Sequence, residues 1–344
     1  MLPGVPPITV PLHLPELAPG VWLQGPEVSL AFARGAVVLV DFWEATCVDC
    51  LRALPYTVAW HRRYAERGLV VVGVHTPEFE LTKNPAVVAA AARELGIEYP
   101  ILLDDDRGTW SRFANRFWPA KYLADARGYL RYEHFGEGAY GETERWIQTL
   151  LREAGDAGPY PEPLAPLRPE DAPGAVCHPA TRELYLGYHR GRLLAPEGYR
   201  PEEEVRHAGR PEPAPEGMAS ARGLWRHEAE YLEAREAGAE LELLFEAAGV
   251  QAVAGPAGEL EVEVDGAPVP AAWRGEDVVE RGGRTVAIWE RPRMIRLLAG
   301  APFARRLLRV RVLRPGIRLY TFTFTSCLLP EPESGQLPAG VSRR

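Results

Sequence analysis

Continuous apolar runs alternate with helical patterns in the first half of the chain. Val37–Phe42 reads VVLVDF and Leu69–His75 reads LVVVGVH, which is typical of strands buried on both faces of a sheet. The remaining pattern predicts these further elements: helices over 48–67, 85–95 and 142–153, a helical turn at Trp110–Phe113, a strand at Ile101–Leu103, and a hairpin of Lys121–Ala124 with Tyr129–His134. This order predicts an α/β domain with a mixed central sheet.

The second half follows a different pattern, in which short alternating segments are separated by glycine and proline turns. The strand candidates are Glu183–Tyr188, Glu240–Phe245, Glu259–Val264, Arg284–Trp289, Leu307–Leu313 and Ile317–Thr325. Residues 226–236 resemble a helix, and residues 195–222 have the composition of a long surface loop. We therefore expect an all-β sandwich or jelly roll.

A proline-rich stretch separates the two halves. Residues 156–176 contain six prolines and show neither helical nor alternating periodicity, so they are predicted to be a linker. The predicted organisation is an α/β domain over 1–155, the linker over 156–176, a β domain over 177–330 and a C-terminal tail over 331–344. Two domains also agree with a length of 344 residues.

Charge and hydropathy narrow the classes of partner. The formal net charge is −8, from 39 basic and 47 acidic residues, which does not favour a nucleic-acid partner. No run of about 18 apolar residues predicts a membrane span, and the N-terminus lacks the basic start and apolar stretch of a signal peptide. On these grounds the sequence predicts a cytoplasmic protein.

The sequence Cys47-Val48-Asp49-Cys50 is the strongest candidate for chemistry. A structural zinc site would need a second pair of ligands, and covalent haem attachment would need histidine where Leu51 stands. A redox-active dithiol fits the context, because a buried strand precedes the pair and a helix follows it. We therefore expect neither a metal nor a bound organic cofactor.

A helix N-terminus offers partial positive charge and free amide groups that stabilise a thiolate. Cys47 is therefore predicted to be the attacking thiolate, with a pKa lowered toward about 7, and Cys50 the resolving thiol that closes the disulfide. The carboxylates of Asp49, Asp41 and Glu44 should oppose this effect. A less stabilised thiolate makes the disulfide more stable, which predicts a reductant rather than a strong oxidant.

The stretch VDFWEATCVDCLRALPY resembles the thioredoxin superfamily. This resemblance implies that Asp41 relays a proton to the resolving cysteine, that Trp43 packs beside the site, and that Pro55 kinks the helix. The segment Phe117–Ala120 is similar to the family's cis-proline loop, which implies a cis Pro119 facing the disulfide. Simpler interpretations remain open, namely an ordinary hydrogen-bonding role for Asp41 and a trans strand-edge Pro119.

A narrower resemblance extends over roughly residues 20–154. The segments LRALPYTVAWHRRYAERGLVVVGVHTPEFE and NRFWPAKYLADARGYLRYEHFGEG resemble the redoxin domain of DipZ-type thiol-disulfide interchange proteins, in the TlpA-like branch. TRELYLGYHRG and PGIRLYTFTF resemble the β-sandwich, similar to carbohydrate-binding modules, that follows it in some members. The resemblance implies a disulfide-containing protein substrate, an upstream dithiol donor, and an extracytoplasmic location as the alternative to the cytoplasm.

The alternatives to thiol-disulfide exchange are a peroxidase activity and a docking or glycan-binding role. A peroxiredoxin-like peroxidase would need a threonine three residues before its cysteine and a proline four before that threonine. Here Thr46 adjoins Cys47 directly, and Phe42 takes the proline position. A docking or glycan-binding role would use a platform of Trp225, Trp273, Trp289 and Tyr320, although aromatic residues on alternating strands favour a core.

Three further residues are left with two interpretations each. His75 is either functional or, as we favour, a strand-end histidine satisfied by the following loop. Cys177 and Cys327 bracket the β half, where the first and last strands of a sandwich are often neighbours. They form either a disulfide or two free thiols, and a cytoplasmic location favours free thiols.

Overall fold

The computed structural model of the protein describes residues 11–209 and 212–328. The chain divides near residue 167 into two compact units. The predicted tail at 331–344 lies outside the described residues.

The first unit is built on a mixed sheet. Within residues 11–209, six strands lie in the order β1-β4-β3-β2-β5-β6, with β2, β3 and β4 parallel to one another. The strands are β1 (Val21–Gln24), β2 (Val37–Trp43), β3 (Leu69–His75), β4 (Ile101–Leu103), β5 (Ala120–Ala124) and β6 (Leu130–Phe135). The helices are α1 (Val48–Tyr64), α2 (Pro85–Glu94), α3 (Gly108–Arg112) and α4 (Tyr140–Glu153). The α/β prediction is confirmed, while the sequence pattern missed β1.

Strand β2 is buried along its whole length because the sheet has a hydrophobic core on each face. Val37, Leu39 and Trp43 belong to one core, and Val38, Val40 and Phe42 belong to the other. Side chains alternate between the faces of a strand, so Asp41 lies on the same face as Leu39 and Trp43. Helix α1, which begins directly after Cys47 and contains Cys50, packs on this face, since its Leu54 and Trp60 belong to the same core.

The first part of the proline-rich stretch packs against the first unit. Asp156 forms two hydrogen bonds with the Arg67 guanidinium, at 2.7 and 3.0 Å. The Leu164 amide donates to Glu144, and the Leu167 amide donates to the Tyr56 hydroxyl at 2.7 Å. Residues 156–167 are therefore an ordered extension of this unit.

The second unit is all-β. Among the described residues, thirteen strands join into one sheet whose central path is β16-β17-β14-β19-β12-β10-β11-β20-β13-β18. The strands of this unit are β7 (Val176–Cys177), β8 (Leu184–Tyr185), β9 (Glu204–Ala208), β10 (Ala219–His227), β11 (Leu232–Ala234), β12 (Glu240–Ala247), β13 (Gly249–Gly255), β14 (Gly258–Val264), β15 (Ala267–Pro268), β16 (Val278–Arg281), β17 (Arg284–Trp289), β18 (Arg293–Leu298), β19 (Ala304–Val312), β20 (Arg318–Thr325) and β21 (Cys327–Leu328).

This sheet folds over one hydrophobic core, which makes the unit a sandwich. Phe245 of β12 stacks on Phe324 of β20 at a centroid distance of 5.6 Å, although neither strand is hydrogen-bonded to the other. Trp225, Trp289 and Tyr320 are almost completely buried, and Trp273 is partly buried against the core. The interpretation of these aromatic residues as core is confirmed, and they form no exposed sugar platform.

The helix expected at 226–236 is wrong. This segment contains the end of β10, a turn closed by the hydrogen bond from the Glu228 amide to the Tyr231 carbonyl, and β11. In the hairpin, Trp225 pairs with Ala234 and His227 with Leu232. Pairing within the sheet overrides the helix propensity of the alanine and glutamate residues. The loop expected at 195–222 likewise contains β9 and the beginning of β10.

Outward-facing side chains of the central strands form a ladder of opposite charges. Arg311 of β19 lies between Glu240 of β12 and Glu261 of β14, at 2.7 and 3.1 Å. Two residues earlier on β19, Arg309 contacts Glu242 of β12 and Glu263 of β14 in the same way. Cross-strand pairs of opposite charge support the strand register.

Cys177 and Cys327 form a disulfide, so the expectation of free thiols is wrong. They are directly opposite each other in the two-stranded sheet of β7 and β21. The first and last strands of the β unit are therefore neighbours, as expected, and sheet pairing brings together two sulfurs whose residues are 150 positions apart.

Candidate active site

The two cysteines of the CxxC sequence lie where β2 gives way to α1. Cys47 is the N-cap of α1, and its sulfur accepts a hydrogen bond from the Cys50 amide at 3.2 Å. Both are free thiols; Cys47 is half-buried and Cys50 fully buried. Cys47 is therefore partly accessible to a substrate, whereas Cys50 is enclosed by the fold.

Burial is the main reason why the pKa of the Cys47 thiol lies well above its usual range. The neighbouring Cys50 thiol and the Asp49 carboxylate raise this pKa further, and the backbone amide of Cys50 lowers it. The expectation that the helix N-terminus lowers the pKa of Cys47 toward 7 is therefore wrong for the dithiol form. The predicted sign of the Asp49 effect is confirmed.

Asp41 lies on β2 and is almost completely buried. Its Oδ1 is 3.1 Å from the Lys121 ammonium on β5, and its Oδ2 accepts a hydrogen bond from the Thr57 hydroxyl on α1 at 2.8 Å. Both oxygens are thus engaged, one of them by a buried ion pair. Its role as the proton relay stays a prediction.

The other residues that the resemblance singled out are Trp43, Pro55 and Pro119, and their roles at the site stay predictions. Trp43 is fully buried and packs edge-on against His75, at a centroid distance of 5.0 Å. Pro55 lies inside α1. The peptide bond between Trp118 and Pro119 is cis, as expected from the resemblance. Trp118 packs against the same hydrophobic core as Cys47.

His75 is buried at the end of β3, and its Nε2 accepts a hydrogen bond from the Ala45 amide at 3.3 Å. Burial lowers the pKa of His75 to about 3, so the ring is neutral at physiological pH. The expected satisfaction of His75 by the loop that follows β3 is not observed, because its partner belongs to the loop after β2 and its Nδ1 has no hydrogen-bond partner among the described residues. The structural interpretation of His75 stays a prediction.

Glu44 is a buried carboxyl group near the cysteines in sequence, to which the sequence reasoning assigned only an electrostatic effect. It precedes Cys47 by three residues and is completely buried. Its Oε2 accepts hydrogen bonds from the Thr46 amide at 2.6 Å and from the Thr46 hydroxyl at 2.7 Å. Burial raises the pKa of Glu44 to about 7. The signal in the sequence was an acidic residue between a buried strand and the first cysteine.

Residues 11–209 and 212–328 contain neither a metal-binding cluster nor a membrane-spanning helix. No three histidine, cysteine, aspartate or glutamate side chains converge there to hold a metal ion. No helix in the same part of the chain is long and apolar enough to cross a membrane.

Comparison with known proteins assigns both units. Residues 13–133 match the AhpC/TSA family, and residues 181–325 match the family described as thioredoxin-like C-terminal domain. Protein DipZ of Mycobacterium tuberculosis (strain CDC 1551 / Oshkosh) is 35% identical over 306 residues, which are 88% of this chain. The match covers 41% of DipZ, so the chain spans less than half the length of that relative.

Smaller relatives match the first unit over nearly their whole length. The thiol-disulfide oxidoreductase YkuV of Bacillus subtilis (strain 168) is 30% identical over 141 residues, which cover 41% of this chain and 95% of YkuV. The solution structure of a thioredoxin-like protein in its oxidised form is 30% identical and covers 42% of this chain and 99% of that one, with a TM-score of 0.39. Together with the CxxC geometry, the match to YkuV defines the class as thioredoxin-fold oxidoreductases. The chain belongs to the thioredoxin-like thiol-disulfide oxidoreductases.

Proposed function

We propose that this protein reduces disulfide bonds of other proteins through Cys47 and Cys50 and is re-reduced by a separate dithiol donor. The observation that carries the proposal is the position of the two thiols at the start of α1, one half-exposed and one fully buried. This is the arrangement that two-step thiol-disulfide exchange requires.

The reaction balances as two exchanges. The Cys47 thiolate attacks one sulfur of the substrate disulfide, and the other substrate sulfur leaves as a thiolate that takes up a proton. The Cys50 thiol then loses its proton and attacks the Cys47 sulfur, so that the Cys47–Cys50 disulfide forms and the second substrate sulfur leaves. Two electrons pass to the substrate, and an external dithiol restores the enzyme.

The direction of electron flow follows from the stability of the thiolate. Burial, the Cys50 thiol and the Asp49 carboxylate all raise the pKa of Cys47. A thiolate that is poorly stabilised makes the dithiol form less stable relative to the disulfide. We therefore propose a reductant with a potential nearer to that of thioredoxin than to that of strongly oxidising enzymes.

The β unit supports a location in an oxidising compartment. Its disulfide includes Cys177, which is exposed to solvent. Disulfides of this kind persist in extracytoplasmic compartments and are rare where glutathione keeps thiols reduced. We propose an extracytoplasmic location in place of the cytoplasm. The test counts the free thiols per chain in protein that is alkylated as soon as it is released from its host cells. Two free thiols would support the extracytoplasmic location, and four would refute it.

Insulin-disulfide reduction tests the activity. We expect wild type to reduce insulin with a dithiol donor present, and Cys47→Ser and Cys50→Ser to be inactive. The matched control is Cys177→Ser with Cys327→Ser, which removes the other cysteine pair and should retain activity below its unfolding temperature. Wild type that is no faster than Cys47→Ser would refute the proposed function.

A second experiment tests which cysteine attacks the substrate and which one resolves the mixed disulfide. Because Cys50→Ser lacks the resolving thiol, it should accumulate a mixed disulfide between Cys47 and the substrate, visible as a mass increase under non-reducing conditions. Cys47→Ser should not accumulate it. The reverse result would exchange the roles of the two cysteines.

A further inference from the structure

Two histidines lie in the interior of the β unit and take no part in the disulfide exchange. His207 of β9 and His227 of β10 are almost completely buried, and their Nε2 atoms are 2.9 Å apart. Their rings are nearly parallel, with an angle of 17° and a centroid distance of 5.1 Å. At this separation one Nε2 atom donates a hydrogen bond to the other, so one proton lies between the two rings.

A chain of three hydrogen bonds passes through this pair. At one end the Arg200 amide donates to His227 Nδ1 at 2.9 Å, and at the other end His207 Nδ1 is 3.0 Å from a carboxylate oxygen of Glu197. The backbone amide of Glu197 itself, and then the His207 ring, lower the pKa of this carboxyl, so it is ionised at neutral pH. The chain therefore begins at a group that can only donate and ends at a group that can only accept.

These two ends determine the position of each proton between them. Because the Arg200 amide donates to Nδ1 of His227, a neutral His227 carries its proton on Nε2 and donates it to His207. Nε2 of His207 is then the acceptor, so the proton of His207 lies on Nδ1 and is donated to Glu197. Two neutral rings thus satisfy the whole chain. A further proton on either ring would set two donors against each other and break at least one of these hydrogen bonds.

The chain joins β9 and β10 to residues 195–203, the 195–203 segment, which precedes β9. None of the residues in this segment is fully buried, so it buries less apolar surface than the core strands do. Besides its two bonds to the histidine rings, the Tyr199 hydroxyl donates to the Leu186 carbonyl at 2.8 Å. The Glu202 amide donates to the His227 carbonyl at 2.8 Å. Segments with few buried apolar contacts open locally at low cost in free energy, so the loss of a bond in the chain favours release.

The groups around His227 favour its neutral form. Burial is the largest cause, and His207 of β9 and Arg200 of the 195–203 segment add to it, which lowers the pKa of His227 to about 4. Tyr199, from the same segment, lies edge-on to the ring at a centroid distance of 5.5 Å, and burial raises the pKa of this phenol, so it stays uncharged. On β11 the residue opposite His227 is Leu232, which carries no charge.

We propose that His207 and His227 form an acid-sensitive latch, which holds the 195–203 segment on the β unit at neutral pH and releases it when a proton enters the pair. The Glu197 carboxylate attracts this proton toward His207. After release the rings contact water and titrate near 6.5, whereas in the closed form the pKa of His227 is about 4. The closed form is therefore fully favoured above about pH 6.5 and loses stability as the pH falls from there toward 4. The opening equilibrium should rise by up to about 300-fold over this range.

Hydrogen exchange of backbone amides, followed by mass spectrometry, measures the release. Oxidised protein is compared at pH 7 and pH 4, with each exchange rate divided by the intrinsic rate of the same sequence at that pH. Protection of the 195–203 segment should fall by about 100- to 300-fold, while peptides from β12 and β19 should keep their protection. Unchanged protection of the segment, or an equal loss in β12 and β19, would overturn the proposal.

Replacing both histidines, by His207→Gln with His227→Gln, keeps a donor and an acceptor on each side chain but removes their titration. The protection of the 195–203 segment should then no longer depend on pH. The matched control is His189→Gln, which replaces an exposed histidine of the same unit and should behave as wild type. A pH dependence that persists in the double variant, or disappears in His189→Gln, would overturn the proposal.

The tautomers provide a test that needs no variant and so stands even if the double variant fails to fold. In wild type labelled with ¹⁵N-histidine, a scalar coupling across the hydrogen bond should connect a ring protonated on Nε2 with a ring protonated on Nδ1 at pH 7. This coupling should weaken as the pH falls toward 4. The absence of such a pair at pH 7, or a coupling that does not change with pH, would overturn the proposal. Neither result would affect the proposed disulfide exchange, which does not involve these residues.

Discussion

The disulfide between Cys177 and Cys327 should contribute several kcal/mol to the stability of the β unit. It joins the two ends of this unit, where β7 pairs with β21. The sheet that it closes is two residues long on each strand, which is too short to hold the ends together by itself. Replacing both cysteines by serine removes the cross-link with little change of side-chain volume.

The magnitude follows from the length of the loop that the disulfide closes. Its cysteines are separated by 150 positions in the sequence. In the chain-entropy model, closing a loop of this size lowers the conformational entropy of the unfolded chain by about 17 cal/mol/K. This loss stabilises the folded state by about 5 kcal/mol at 25 °C. With a slope of about 2 kcal/mol per molar urea, the midpoint of unfolding should fall by about 2 to 3 M.

Urea unfolding followed by tryptophan fluorescence measures this loss. The comparison is made in a background with Cys47→Ser and Cys50→Ser, so that dithiothreitol acts on one cysteine pair alone. Adding the reductant should move the β transition to the midpoint of the double-serine variant, and the transition of the first unit should stay in place. Equal β midpoints for the oxidised, reduced and serine proteins would refute the entropic argument.

Three further predictions concern buried or networked charges. Lys121→Met leaves Asp41 buried without its counter-charge, so the first unit should lose about 3 to 5 kcal/mol in urea unfolding, and adding Asp41→Leu should restore most of it; additive losses would contradict the ion-pair argument. His75 is neutral in the fold and has a pKa of about 3, whereas the unfolded chain protonates it near 6.5, so stability should fall as pH drops from about 6.5 toward 3, by at most about 5 kcal/mol. A His75→Met variant should lack this part of the pH dependence, and an identical slope would refute the assignment. Arg311→Met removes the centre of the charge ladder and should cost about 1 kcal/mol at low salt and less at 1 M salt; a loss independent of salt would indicate packing instead.

Local patterns predicted the first unit well because its elements are strongly periodic. The runs at β2 and β3 are apolar throughout, since both faces of the sheet are covered. The spacing of Cys47 and Cys50 and their place before a helix predicted the redox pair. The prediction of a helix at 226–236 failed because its residues have helical propensity, yet β10 and β11 form a hairpin there and β11 also pairs with β20, which is distant in sequence.

The pKa values at the site could not be obtained from the sequence. A helix N-terminus favours a low pKa for Cys47, but burial, Cys50 and Asp49 act in the opposite direction. The raised pKa of Glu44 likewise depends mainly on its complete burial. Desolvation depends on what surrounds a group, and periodicity shows only which face a residue occupies.

The sequence by itself determined the two-unit organisation and the fold classes, through the order of its apolar runs and turn residues. It also determined the chemistry of the exchange, through the spacing of its cysteines. These properties depend on interactions between residues that are near in sequence. Only the tertiary structure decided that Cys177 meets Cys327, that the Lys121 ammonium pairs with the Asp41 carboxylate, and that Glu44 is completely buried. Each of these features arises from elements brought together by packing, and the free energy of a buried charge or thiol depends on those neighbours.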